Sequence, residues 1–262
     1  MDLTDKLIGF YTHYDEDGRL GKRAGSVEFA TTMAFVNRYL RPGMRVLEVG
    51  AATGRYSHHI ARMGYRVDAV ELVQHNIDVF RTNTLPGEDI SITQGNATDL
   101  SMLDDNTFDL TLVLGPMYHL FDEADQRKAL REAVRVTKQG GVIFAAYCML
   151  DASLLRDCFA RGLLSELIRD GRIDLNDFTQ IPHRLDYFNL MRKEQIDTLR
   201  SGLPVTPLHF VAADGYAKHM EAALDAMDEE PFRLYLQYHL STCERSDLVG
   251  ISHHTIDIFQ KE

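Results

Sequence analysis

From Arg45 onward, short β-rich runs alternate with amphipathic stretches, and this alternation confines the chain to a largely parallel sheet crossed by helices. The runs are Arg45–Val49, Arg66–Glu71, Ile90–Thr93, Phe108–Leu114 and Val142–Tyr147. Between the last two, Asp122 can cap a helix, Leu130, Ala133 and Val134 recur on one face, and Gly140–Gly141 ends it. Further on, the pattern predicts a helix from about Lys193 to Arg200, a strand at Leu208–Val211, a helix across Pro231–Leu240 and a strand at Thr255–Phe259. Seven strands result.

Before the first strand, Ser26 to Leu40 reads as a helix with an apolar stripe, broken by Pro42–Gly43. After Cys148 the alternation fades. Leu154, Leu155, Phe159, Leu163, Leu164 and Leu167 keep helical spacing there, so a helical cap over the sheet is expected at 151–190. With no repeat, low-complexity tract or linker, one domain spanning 1–262 is expected: a helical lid over 1–43, a core over 44–150, the cap, and the rest of the sheet over 191–262.

Composition narrows the partners. Acidic side chains outnumber basic ones, 39 to 28, and the net charge of −11 repels phosphate backbones and anionic lipid. Nucleic acid and membrane are not expected partners. The longest apolar stretches, such as Val142 to Leu150, fall short of the roughly 20 residues a membrane span requires. Met1 to Asp17 lacks the basic start and apolar run of a secretory signal, so a cytoplasmic location is expected. Cys148, Cys158 and Cys243 lack the spacing of a zinc or redox motif and read as buried or tolerated thiols.

The strongest local signal is Val46-Leu47-Glu48-Val49-Gly50-Ala51-Ala52-Thr53-Gly54, a buried strand running into a small-residue turn that opens a helix. Small side chains there let a ligand lie across the strand end, and Gly50 can take positive φ. The next strand ends in Glu71, about 20 residues beyond the turn, where a carboxylate can accept from both hydroxyls of a ribose. Glu48 argues against a dinucleotide: a carboxylate at the strand end repels a pyrophosphate and suits the ammonium of an amino-acid-bearing ligand.

With these residues the chain resembles the Rossmann-like class I methyltransferases dependent on S-adenosylmethionine (SAM), from about Tyr14 to the C-terminus. The resemblance implies a three-layer α/β fold with helices on both faces of a mostly parallel seven-stranded sheet and an antiparallel last strand. Gly95-Asn96-Ala97 looks like the family's G-D-A turn for adenine, with Asn96 in place of the acid, and Ala52 stands where a middle glycine is common. Gly115-Pro116-Met117-Tyr118-His119-Leu120 resembles a bacterial small-molecule subgroup, as does Tyr14-Asp15-Glu16-Asp17-Gly18-Arg19-Leu20. The implied cofactor set is Tyr14, Arg19, Glu48, Gly50, Ala51, Ala52, Gly54, Glu71, Leu72, Asn96, Ala97 and Gly115, the carbonyl of Gly115 receiving the SAM ammonium. Tyr11, Tyr118, His119, Tyr147 and His183 are the candidate substrate residues.

The implied activity moves a methyl from SAM to oxygen, nitrogen, sulfur or carbon of a small molecule, leaving S-adenosylhomocysteine. Such a displacement asks mainly for alignment and exclusion of water. For a hydroxyl acceptor His119 is the candidate base, with Tyr118 beside it; the imidazole can equally serve as pocket wall. Methylation of RNA or protein, and a non-catalytic SAM-binding role, are the alternatives. No metal set is expected: His58 and His59 diverge on a helix, and His253 and His254 should point to opposite faces of a strand. A homodimer is compatible with the sequence.

Overall fold

The computed structural model describes residues 3–11, 22–183 and 186–262. Tyr14 and Arg19, and Arg184 and Leu185 of the insertion, lie outside the described residues. Two N-terminal helices, α1 (Leu3–Tyr11) and α2 (Arg23–Tyr39), precede β1 (Arg45–Val49). Then follow α3 (Arg55–Arg62), β2 (Arg66–Glu71), α4 (Gln74–Asn83), β3 (Ile90–Gln94), β4 (Phe108–Val113), α5 (Glu123–Val136) and β5 (Thr137–Met149). After α6 (Leu150–Ser153), α7 (Leu164–Arg169) and the two-residue β6 (Leu190–Met191) come α8 (Lys193–Arg200), β7 (Val205–Ala212), α9 (Glu221–Asp225), α10 (Glu229–Thr242) and β8 (His254–Lys261).

The strands order β3-β2-β1-β4-β5-β8-β7, which is the expected count of seven, and β6 adds an eighth beside β5. β1 to β5 pair in parallel, whereas β8 runs antiparallel to both β5 and β7. Leu47, Val49, Val113, Ile143, Ala145 and Phe259 pack on one face under α5 and α8, and Val46, Leu110, Leu112, Val142, Phe144 and Ile258 pack on the other under α2 and α3. Helices on both faces force the central strands to be apolar on both sides, as their unbroken runs require. The carboxyl ends of β1, β2 and β4 therefore converge at one rim, where the strand order reverses between β1 and β4, the place where open α/β sheets bind ligands.

Two local expectations are corrected. α5 stops at Val136, short of Gly140–Gly141, because Thr137 already pairs with Phe108 and β5 runs on through a register shift in which Gly140 takes φ 76°. The insertion is only partly the amphipathic cap its spacing suggests. Leu154 is buried, but Leu155, Phe159 and Leu163 are exposed; a π-helical turn at Leu154–Ala160 adds residues per turn and rotates the stripe away from the sheet.

Candidate active site

At the strand rim lies a cleft whose empty volume, open mouth included, is about 1140 Å³. Its floor is the turn after β1. The amides of Gly50 and Ala51 both donate to the carbonyl of Val70, at 2.8 and 3.2 Å, which folds the chain sharply over the end of β2. Gly50, Ala52 and Gly54 take φ of 75°, 47° and 90°. The two glycines answer first to the protein itself: a Cβ on Gly50 would stand 2.6 Å from Pro116 Cδ, and one on Gly54 2.4 Å from Phe80 Cδ2. Ala52 holds a left-handed conformation that costs an L-residue about 1 kcal/mol, and its amide is fixed there by Glu71 Oε2 at 2.8 Å.

Glu71 ends β2 buried beside that turn, where desolvation raises its pKa. Its other oxygen accepts from Val73 N at 2.9 Å and Asn76 Nδ2 at 3.3 Å. With a further hydrogen bond from the Leu72 backbone, the roughly four lone-pair sites of this carboxylate are held by the protein along the cleft it lines. Glu48 is buried to 2% exposure and accepts from the amide (2.9 Å) and hydroxyl of Ser57, tying β1 to the first turn of α3. Burial pushes its carboxyl up to about 8, against the pull of the Ser57 bonds. Glu48 thus meets the cleft largely as a neutral acid near neutral pH, not as the plain carboxylate its motif suggests.

Leu72, Asn96 and Ala97 form one wall. Asn96 is not free to accept through its side-chain oxygen, as an adenine amine would ask of it, because that oxygen already takes the Thr98 amide (3.0 Å) and hydroxyl (3.1 Å). Its NH₂ is the group left to meet a ligand. Opposite, Gly115 packs against the Gly50 carbonyl, and a Cβ there would come within 3.2 Å of that oxygen.

The far end of the cleft carries Leu7, Tyr11, Tyr118, His119 and Leu120. His119 is buried, and its Nδ1 lies 2.8 Å from the carbonyl oxygen of Tyr187. A carbonyl only accepts, so Nδ1 carries the hydrogen and Nε2 holds a lone pair. The Tyr11 hydroxyl meets that lone pair at 2.7 Å. Burial pushes the imidazole down to about 4, so it is neutral above that pH. Phe188 faces the imidazole at 5.3 Å between centroids, Phe10 packs on Tyr187 at 4.5 Å, and Lys6 stands over the Tyr187 ring and donates to the Asp186 carbonyl. Helix α1 and residues 186–188 thereby enclose His119 from two sides.

Of the residues read from sequence, Tyr11, Glu48, Gly50, Ala51, Ala52, Glu71, Leu72, Asn96, Ala97, Gly115, Tyr118 and His119 line this one cleft. Gly54 shapes it from behind. Tyr118 belongs to the wall, because its hydroxyl donates to the Leu114 carbonyl at 2.9 Å and braces its own turn. Tyr147 is misplaced: it is 1% exposed in the core between β5 and its neighbours, and its hydroxyl there has no hydrogen-bond partner among the described residues. His183 also does not line the cleft; its amide donates to Asp186 Oδ2 at 2.8 Å and helps shape the 186–188 segment.

Sequence reasoning missed Glu28, Asn76 and the Tyr187 carbonyl. Glu28 lines the cleft from α2 and lies 3.5 Å from His254 Nδ1. His253 and His254 do not part: their rings are 5.1 Å apart, because β8 begins only at His254 and the amides of both are drawn to Asp214 Oδ1.

Residues 47–145 match a family model described as a methyltransferase domain. A demethylmenaquinone methyltransferase of Renibacterium salmoninarum is 34% identical over 105 residues, 40% of this chain and 41% of the relative. A ubiquinone biosynthesis O-methyltransferase of Caulobacter vibrioides is 30% identical over 105 residues, 40% of each. The chain thus spans about two fifths of the length of these curated relatives. In fold it is similar to the N-methyltransferase NodS of Bradyrhizobium japonicum, solved with S-adenosylhomocysteine, at TM-score 0.59 and 15% identity over 99% of both chains. Residues 47–145 are thus similar to a methyltransferase domain and lie on a Rossmann-like sheet, and S-adenosylmethionine is the cofactor this likeness supports.

Proposed function

We propose that the chain transfers a methyl group from SAM to a small-molecule acceptor held at the Tyr11–His119 end of the cleft. The observation that carries this reading is the continuity of one cleft from the Gly50–Gly54 turn and Glu71 to a neutral imidazole with an oriented lone pair.

The residues present fit the cofactor. Glu71 stands where ribose hydroxyls can take the place of one of its present donors, and the Asn96 NH₂ with the Ala97 amide suits the nitrogen edge of adenine. The Gly115 carbonyl and an acceptor oxygen of the neutral Glu48 serve the ammonium end. When bound, SAM supplies a methyl group activated on a sulfonium, whose departure as a neutral thioether needs no acid. What remains for the protein is to align the acceptor, keep water away and take up its proton. Tyr11 and His119 share the proton uptake. The Tyr11 oxygen receives the acceptor's proton as its own passes to His119 Nε2, while the Tyr187 carbonyl keeps the imidazole in the right tautomer. An ionisable hydroxyl is the acceptor that most needs this relay. A net charge of −11 favours such a metabolite over RNA.

Transfer of labelled methyl from SAM to a panel of phenols, carboxylates, thiols and amines tests the proposal. The expected result is transfer to at least one class, with Tyr11→Phe and His119→Gln lowering kcat by about 10²-fold or more while SAM binding persists. SAM binding without transfer to any class, or full activity in both variants, overturns it.

A further inference from the structure

Beyond the cleft, Cys148, His253 and His254 draw together at the carboxyl end of β5. Cys148 and His254 are direct partners across the antiparallel β5/β8 ladder, and the Cys148 sulfur and one ring nitrogen of each histidine all lie within 4.8 Å of one another. Neither the methyl-transfer reading nor the packing of the strands uses this convergence.

The hydrogen bonds around the histidines determine where their lone pairs are. Ser153 gives its only hydroxyl proton to the Met149 carbonyl at 2.8 Å, so at its 3.1 Å contact with His253 Nε2 it can only accept. Nε2 of His253 therefore carries the hydrogen, and Nδ1 is left with a lone pair. That Nδ1 is buried and has no hydrogen-bond partner among the described residues. A buried polar atom in that state is destabilising and asks for an explanation. Nδ1 of His254 faces Asp214 Oδ2 at 2.8 Å, and Asp214 is itself anchored by Ser252 Oγ at 2.7 Å and by the His253 amide at 2.8 Å. This carboxylate orients the His254 ring, whose other nitrogen, Nε2, turns to a hydrogen bond with Cys148, so that one proton shared by this pair is what an ion bound between them would displace.

We propose that Cys148, His253 and His254 form a binding site for a divalent cation of the zinc class. A thiolate and two imidazoles are the donor set that such a borderline-soft ion prefers, and a carboxylate or hydroxyl behind each imidazole is the usual outer support. Around tetrahedral zinc, with bonds of about 2.0–2.3 Å, donor atoms stand roughly 3.3–3.7 Å apart, and side-chain rotation of about 1 Å closes the present triangle to that size. On binding, Cys148 loses its proton to solvent as sulfur takes the ion, and the fourth position is left to water. Asp214, Asp157 and Glu28 nearby offset the added charge. The His254 ring is 6.2 Å from that of Tyr118, so an ion here would lie just behind the wall of the cleft.

The test uses the full chain, freed of metal with a chelator and titrated with Co²⁺ and then Zn²⁺. The expected result is uptake of one equivalent of Co²⁺ with a thiolate-to-cobalt charge-transfer band that Zn²⁺ abolishes. Cys148→Ser should lose the band and weaken binding at least tenfold. If that variant does not fold, His253→Asn, at a side chain 15% exposed, carries the same readout, with His75→Ala at an exposed position of α4 expected to bind as the parent does. No charge-transfer band in the folded parent, or uptake undiminished in the site variants, would overturn the proposal. It leaves the methyl-transfer reading untouched either way.

Discussion

The hydroxyl of Tyr11 lies 2.7 Å from Nε2 of His119, joining helix α1 to the turn after β4. Because the Tyr187 carbonyl pins the opposite nitrogen, the imidazole can only receive at this contact. Its low pKa, about 4, keeps the imidazole neutral over a wide pH range. kcat/KM for a hydroxyl acceptor should therefore hold level from pH 7 down to about 5, where an ordinary histidine at 6.5 would already be protonated. A rate that halves near pH 6.5 would show that His119 titrates normally and that the enclosure by α1 is not maintained in solution.

The same burial bears on stability. His119 is neutral in the folded chain and titrates near its ordinary value when unfolded, so its contribution is full above about 6.5 and is lost as pH falls toward 4. His119→Gln, which keeps a polar side chain of similar reach, should flatten that part of the acid-side decline in Tm. Parallel melts across pH 4–7 measure it.

Glu48 has the opposite sign. Its carboxyl is raised to about 8 in the fold, so its contribution is full below the unfolded value near 4.5 and is lost as pH rises through 8. Glu48→Gln keeps an oxygen for the Ser57 amide and removes the titration. The variant should gain on the parent progressively from pH 5 to 9; a constant difference in Tm over that range would contradict a protonated Glu48.

Ala52 offers a stabilising change. At φ 47° it occupies backbone space that glycine enters without penalty, and its side chain is not what holds the turn. Ala52→Gly should cost nothing, or stabilise by up to about 1 kcal/mol, less what the freer unfolded chain takes back. SAM affinity should be kept. Gly50→Ala, by contrast, drives a Cβ into Pro116 at 2.6 Å and should lower both Tm and affinity.

The legible parts of this molecule are the local ones. Strand and helix alternation, the Gly50–Gly54 turn, Glu71 at a strand end and the helix at Lys193–Arg200 each depend on residues close in sequence, and they stand in the structure where their patterns put them. Tyr11 and His119 are each legible as site residues, but their bond spans 108 positions and has no local signature. The Tyr187 carbonyl cannot be read at all, since every residue has one. Tyr147 goes astray because β5 is buried on both faces, where period-two alternation no longer distinguishes cleft from core. Strand alternation would part His253 from His254, whereas β8 starts only at His254 and leaves His253 outside the ladder.

Whether the cleft holds SAM is decided by calorimetric titration of the purified chain with SAM and with S-adenosylhomocysteine, repeated on Glu71→Ala. Glu71 holds the Ala52 and Val73 amides as well as facing the cleft, so the variant's fold is checked by its melt in the same buffer. A SAM site built on the Gly50–Gly54 turn and Glu71 predicts saturable micromolar binding of both ligands at one site, lost in the folded variant. Absence of binding to either ligand by the parent chain, or binding unchanged in Glu71→Ala, would contradict it.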